Sequence, residues 1–196
     1  MQTIRSFIAI ELSDEARSVL ADLQNRLKAV VPPKTVRWTA PQNIHLTLHF
    51  LGDVKVNEVE QVSQAVKTAA SNCRPFSLTL TGLGCFPNTR RPRIVWVGIR
   101  GETESLVALH QNLGEGLKVI DFKPEVRPYS PHLTIGRVKN GLSGRQLTQL
   151  GEVLDQEIRL IGELATLNVA ELSLIKSELT PGGPVYTPLT RAAFQP

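Results

Sequence analysis

The alternation of apolar and polar positions divides the chain into strands and helices. Residues 4–12 form a nearly unbroken apolar run with Arg5 near its start, the pattern of a buried strand. Ser13 can cap a helix, with Asp14 and Glu15 in the first turn, where negative charge suits the helix dipole. Ala16, Val19, Leu20, Leu23, Leu27 and Val30 follow at helical spacing, and Pro32-Pro33 end the helix. A short extended piece over 36–39 leads through Pro41 and Asn43 to Ile44, Leu46, Leu48 and Phe50, which alternate with His45, Thr47 and His49. That period of two predicts a strand ending at Gly52-Asp53 and sets His49 on the same face as His45. Asn57 and Glu60 have capping-box spacing and open a helix through Val59, Val62, Ala65, Val66 and Ala69.

Residues 76–83 alternate as a strand. A loop over 84–92 carries Arg90 and Arg91, and Arg93 leads into an apolar strand over 94–99. Thr103 can begin a third helix with Leu106, Leu109, His110, Leu113 and Leu117 on one side, while Gly114 and Gly116 weaken its last turns. A proline-rich stretch, 121–131, leads into His132-Leu133-Thr134-Ile135-Gly136-Arg137. Ser143 and Gln146 then suggest a shorter fourth helix carrying Leu147, Leu150, Val153 and Leu154. The rest reads as one broken or bulged strand over 165–179 and another over 185–191, joined by a Pro-Gly-Gly turn. The order β-α-β-β-α-β-β-α-β-α-β-β lacks the strict βαβα rhythm of a nucleotide-binding parallel sheet. It predicts an α+β protein of two similar lobes.

Each lobe holds one copy of a short phrase, His45-Leu-Thr47-Leu and His132-Leu-Thr134-Ile. On a strand, residues two apart share a face roughly 6–7 Å apart. If the two strands face each other, two imidazoles and two hydroxyls converge. Either copy alone reads as an ordinary hydrogen-bonded histidine in a strand; the repetition points to function. His110, on a helix stripe, reads as packing, as does His49, which has no counterpart after Thr134.

Composition narrows the chemistry. The 196 residues are 41% hydrophobic and only 5% aromatic, with a formal net charge of +4, a balance that favours an anionic partner without naming one. Cys73 and Cys85 are the only cysteines, and no apolar stretch reaches 18 residues, so a reduced cytoplasmic protein is the default. His45 and His49 lie about 13 Å apart on a strand, and no cysteine or acidic cluster completes a metal site. Neither a Gly-x-Ser-x-Gly elbow nor a phosphate-binding Gly-Lys-Ser/Thr loop occurs. A histidine pair suits chemistry in which one group accepts a proton while another donates one, as in phosphodiester cleavage. The threonine hydroxyls could then hold the non-bridging oxygens.

The paired motifs, the opening Arg5-Ser-Phe7-Ile-Ala9-Ile10, Asn43 through Gly52, Val95-Trp96-Val-Gly98, Tyr129 through Arg137, and Ser177-Glu-Leu179 through Tyr186-Thr-Pro-Leu189 resemble the two-histidine (2H) phosphoesterase superfamily. Within it the likeness is to the RNA 2′,3′-cyclic phosphodiesterases, also known as 2′–5′ RNA ligases. The resemblance implies one bilobal domain over 1–196, with two antiparallel sheets flanking a central cleft and helices outside. It implies metal-free hydrolysis of a terminal 2′,3′-cyclic phosphate to a 2′-phosphomonoester, with reverse 2′–5′ ligation in relatives. His45 corresponds to the proton donor and His132 to the proton acceptor. Thr47, Thr134 and Arg137 correspond to phosphate ligands. Arg137 has the wrong strand parity for the cleft unless the strand bulges. No cofactor, membrane or obligate protein partner is implied; the partner is RNA with a 2′,3′-cyclic phosphate end or a cyclic nucleotide. A relative acting on small cyclic nucleotides and a non-catalytic nucleotide-binding module are the alternatives. Arg90, Arg91 and Arg93, with Lys123 and Arg127, either extend the cleft along an RNA backbone or are solvated loop residues, as arginines near proline often are.

Overall fold

A computed structural model of the chain describes residues 2–120, 122 and 128–196. Lys123 and Arg127 lie outside the described residues. The chain begins with β1 (Thr3–Glu11), α1 (Asp14–Val30), β2 (Val36–Trp38), β3 (His45–Lys55), α2 (Val59–Ser71) and β4 (Phe76–Phe86). It continues with β5 (Ile94–Gly101), α3 (Thr103–Val119), β6 (His132–Val138), α4 (Gly144–Leu160), β7 (Glu163–Val169), β8 (Glu171–Thr180) and β9 (Gly183–Ala193).

The strands join in the order β7-β4-β5-β6-β3-β1-β8-β9, every described pairing being antiparallel, with β2 on the same edge of β6 as β3. The two expected sheets are therefore two halves of one continuous sheet. In one half β3 is followed outward by β1, β8 and β9; in the other β6 is followed by β5, β4 and β7. Among the described residues a single pair, Leu46 with Leu133, links β3 to β6, and both side chains are fully buried. The strand expected over 165–179 is two strands, breaking at Ala170 and pairing at opposite ends of the sheet.

The helices cover one face. α1 and α4 pack with β7 and β4, tied by an ion pair from Arg26 to Glu157 at 2.9 Å, whereas α2 and α3 pack together over β3, β8 and β9. One apolar cluster runs beneath them across both halves. Ser13 caps α1, and Ser143 with Gln146 forms a capping box on α4. α4, at 17 residues, is as long as α1 and α3. The box expected at Asn57 does not form: residues Val56–Glu58 make a 3₁₀ turn, and α2 starts without a side-chain cap. α3 runs through both glycines to Val119, and a Cβ on Gly114 would press on the His49 ring at 3.4 Å. No helix among the described residues is long and apolar enough to cross a membrane.

Candidate active site

The helix-free face of the sheet carries both histidine–threonine phrases. Leu46 and Leu133 point into the core, so His45, Thr47, His132 and Thr134 point to the opposite face, each half-buried. Extending the Leu46–Leu133 register by one residue sets His45 against Thr134 and Thr47 against His132. Among the described residues no further β3–β6 pair lies on either side of that one, and a cavity lined by His45 opens beside it, making the shared face a cleft.

Each motif strand has a bulge immediately after its threonine. In β3 the pairing to β1 passes from Thr47–Ala9 to His49–Ile8, leaving Leu48 unpaired. In β6 the pairing to β5 passes from Thr134–Trp96 to Gly136–Val95, leaving Ile135 unpaired. A one-residue bulge reverses the parity of everything beyond it. Arg137, two residues past the β6 bulge, is thereby returned to the face of His132 and Thr134, and its charge reaches His45 and Tyr186. Phe50, its counterpart in β3, is 63% exposed. The expectation that His49 shares a face with His45 is overturned by the same device: His49 turns into the helix side. Gly136, its counterpart, lies so close to β2 that a Cβ would meet Val36 Cγ1 at 2.7 Å.

His49 and His110 are packing residues. Their rings stack at 4.2 Å, His110 stacks on Tyr129 at 4.0 Å, and His49 Nε2–H donates to the His110 carbonyl at 2.9 Å. Tyr129 Oη donates to the Thr47 carbonyl at 3.2 Å, so the stack joins α3 to the first motif strand and to the segment entering the second. Burial pushes His49 below its ordinary range, and burial together with the His49 charge takes His110 to about 4. The unfolded chain binds protons near pH 6.5 that the folded stack refuses, so stability is full above that pH and declines as the pH falls toward 4. We expect the urea midpoint to drop between pH 7 and 4.5, and to drop less in His49→Gln/His110→Gln.

The two cleft histidines are held alike. His45 Nδ1–H donates to the Asn43 carbonyl at 2.9 Å and His132 Nδ1–H to the Ser130 carbonyl at 2.8 Å. A carbonyl can only accept, so each neutral ring keeps its proton on Nδ1 and leaves Nε2 free. His45 lies on Phe7 (4.5 Å, near-parallel) and against the edge of Tyr186 (5.3 Å), while His132 is bracketed by Phe86 (5.0 Å) and Trp96 (6.4 Å). These aromatic seats come from segments far away in the chain, and no local pattern connects them to the histidines.

Glu11, cross-strand from His45, escapes sequence reasoning because β1 reads as a plain apolar run ending in a charge. Burial pushes its carboxyl up, but hydrogen bonds from Arg191 and Ser173, with the charges of Arg191 and Arg17, hold it below the usual range. Burial drives His45 down to about 4, with Arg137 acting in the same direction; the Asn43 carbonyl and Glu11 oppose this. A cavity of about 200 Å³ beside His45 is lined by residues including Glu11, Arg17, Asn43 and Tyr186. The loop bearing Arg90, Arg91 and Arg93, all exposed, lies against the end of β6 through Val138 N–H to the Arg93 carbonyl at 2.9 Å.

Two imidazoles with fixed tautomers, two hydroxyls and a guanidinium on one face are a set of groups suited to phosphoester chemistry. Comparison with known proteins agrees. The family described as LigT like phosphoesterase matches the chain twice, over residues 10–96 and 97–186, one phrase in each. The RNA 2′,3′-cyclic phosphodiesterase of Methanothermobacter thermautotrophicus is 35% identical over 94% of this chain and 95% of its own, and that of Archaeoglobus fulgidus 31% identical over 95% and 98%. The crystal structure of E. coli LigT complexed with 3′-AMP superposes with a TM-score of 0.77, at 27% identity over the whole of both chains. The chain belongs to the LigT-like phosphoesterase family.

Proposed function

We propose that the protein is a metal-independent RNA 2′,3′-cyclic phosphodiesterase that opens a terminal cyclic phosphate to a 2′-phosphomonoester. The observation that carries this reading is the matched pair of Nδ1–H to carbonyl hydrogen bonds, which among the described residues leaves both Nε2 atoms without a hydrogen-bond partner, on the face that also carries Thr47 and Thr134. The names of the curated relatives support the substrate class. The double family match supports one unit built from two pseudo-symmetric lobes. Two unpaired cysteines, Cys73 and Cys85, suit a cytoplasmic setting.

In the proposed reaction water attacks phosphorus as His132 Nε2 takes its proton. The P–O3′ bond breaks, and His45 Nε2–H protonates the departing O3′. Thr47, Thr134 and Arg137 hold the non-bridging oxygens as charge accumulates on them. With the 5′-hydroxyl of a second RNA end in place of water, the same two proton transfers would carry 2′–5′ ligation, the 5′ oxygen bonding to phosphorus as the P–O3′ bond breaks. His45 must be protonated to donate, yet in the free site it is held neutral. A bound phosphate anion supplies the missing opposite charge and raises its pKa. Because kcat/KM reports the free enzyme and kcat the complex, we expect the alkaline limb of the kcat profile to lie at higher pH than that of kcat/KM. Coincident limbs would contradict the assignment of His45 as donor. The reading as a whole is tested by incubating RNA ending in a 2′,3′-cyclic phosphate with the protein in EDTA. A terminal monoester should form; an intact cyclic end would refute it.

A further inference from the structure

Beyond the reacting phosphate, the cleft has a second cationic group that the motifs do not contain. β2 is only three residues long, and its middle residue, Arg37, pairs directly with Arg137 of β6. The flanking Val36 and Trp38 lie on the helix side, where they press on Gly136. Strand alternation therefore puts Arg37 on the cleft face beside Arg137. Directly opposed residues in an antiparallel pair have Cβ atoms about 5 Å apart, and like charges so placed repel. Both side chains are exposed, and among the described residues no carboxylate lies within ion-pair distance of either. Two opposed arginines without a counter-ion among the described residues leave two positive charges on the cleft face for an anionic ligand to offset.

Its place in the cleft selects the anion. Arg137 lies close enough to His45 to depress that ring's proton affinity, and Arg37 stands directly across from it on β2, which takes over the β6 edge beyond the His45 end of β3. With His45 donating to O3′, the ribose sits on the His45 side of the reacting phosphorus, and the chain 5′ to it leaves the cleft from that side.

We propose that Arg37, set across from the Arg137 that faces the reacting phosphate, binds the phosphodiester immediately 5′ to the terminal nucleotide, so that the site favours an oligonucleotide end over a cyclic mononucleotide. This rests on the cyclic-phosphodiesterase reading. With Arg137 on the reacting phosphate, a backbone phosphate at Arg37 sets one anion beside each guanidinium, which offsets the Arg37–Arg137 repulsion and gives sequence-independent grip, since phosphate contacts position a strand without reading its bases. Arg37 is a binding residue, and its effect falls on KM more than on kcat.

The test compares adenosine 2′,3′-cyclic phosphate with a short oligoribonucleotide ending in the same group, using wild type, Arg37→Glu, Arg37→Gln and Arg37→Lys, with thermal melting as a control for folding. For Arg37→Glu and Arg37→Gln we expect kcat/KM on the oligonucleotide to fall about tenfold further than on the mononucleotide, the order expected for one charge-assisted contact. Arg37→Lys should recover much of the difference. The slope of log(kcat/KM) against log salt on the oligonucleotide should become shallower by about 0.7 in Arg37→Gln, one released counter-ion on a single strand. Equal losses on the two substrates, or an unchanged salt slope, would overturn the assignment of Arg37. Wild-type protein inert on both substrates would instead overturn the cyclic-phosphodiesterase reading.

Discussion

Replacing either His45 or His132 by alanine is expected to lower cyclic-phosphate opening by about 10³–10⁴-fold, the upper range for a single general acid or base. Each imidazole is proposed to move its proton in the same transition state, so the double variant should be little worse than either single one. The loss should appear in kcat, and at about 1.4 kcal/mol per tenfold it corresponds to roughly 4–5 kcal/mol of lost transition-state stabilisation. The fold should survive both changes, because both rings lie on the open face of the sheet rather than in the apolar cluster. Circular dichroism and melting of the variants distinguish a chemical loss from a structural one. Substantial turnover by either single variant would remove the two-histidine mechanism.

Leu46→Ala is expected to have the largest effect on stability. Leu46 is fully buried and, with Leu133, makes the described pair that joins the two halves of the sheet. Truncating a buried leucine removes its transfer free energy and leaves a cavity, costing about 2–5 kcal/mol. The apolar cluster on the helix side draws on both halves, so urea unfolding should remain a single transition at lower denaturant. Two resolved transitions in the wild type would contradict one cooperative unit. Because the same two strands carry the site, Leu46→Ala should also lower activity at temperatures where the protein is still folded.

The element order and the face of each reacting group are legible in the sequence for a simple reason. The apolar partners in the two phrases, Leu46 and Leu133, fix the parity, and burial enforces it. The bulges are not legible. An unpaired residue is defined by the neighbouring strand, and neither Leu48 nor Ile135 differs from an ordinary core residue when its own strand is read alone. That is why alternation places His49 on the wrong face, and why it leaves the position of Arg137 conditional on a bulge. The irregularity within 165–179 is legible, and the structure makes it a break at Ala170, but neither glycine nor proline marks that position, and nothing local assigns the two pieces to different halves of the sheet. Asn57 has the right spacing for a capping box, but the chain forms a 3₁₀ turn there instead. Glu11 opposite His45 and Arg37 opposite Arg137 are products of register between distant segments; each sits in its own strand as an ordinary charge.

Protonation of O3′ by His45, with His132 activating water, is tested most directly by phosphorus NMR of the product formed from a 2′,3′-cyclic phosphate end in EDTA. A 2′-phosphomonoester with a free 3′-hydroxyl is the predicted product, and a 3′-phosphomonoester would contradict the account.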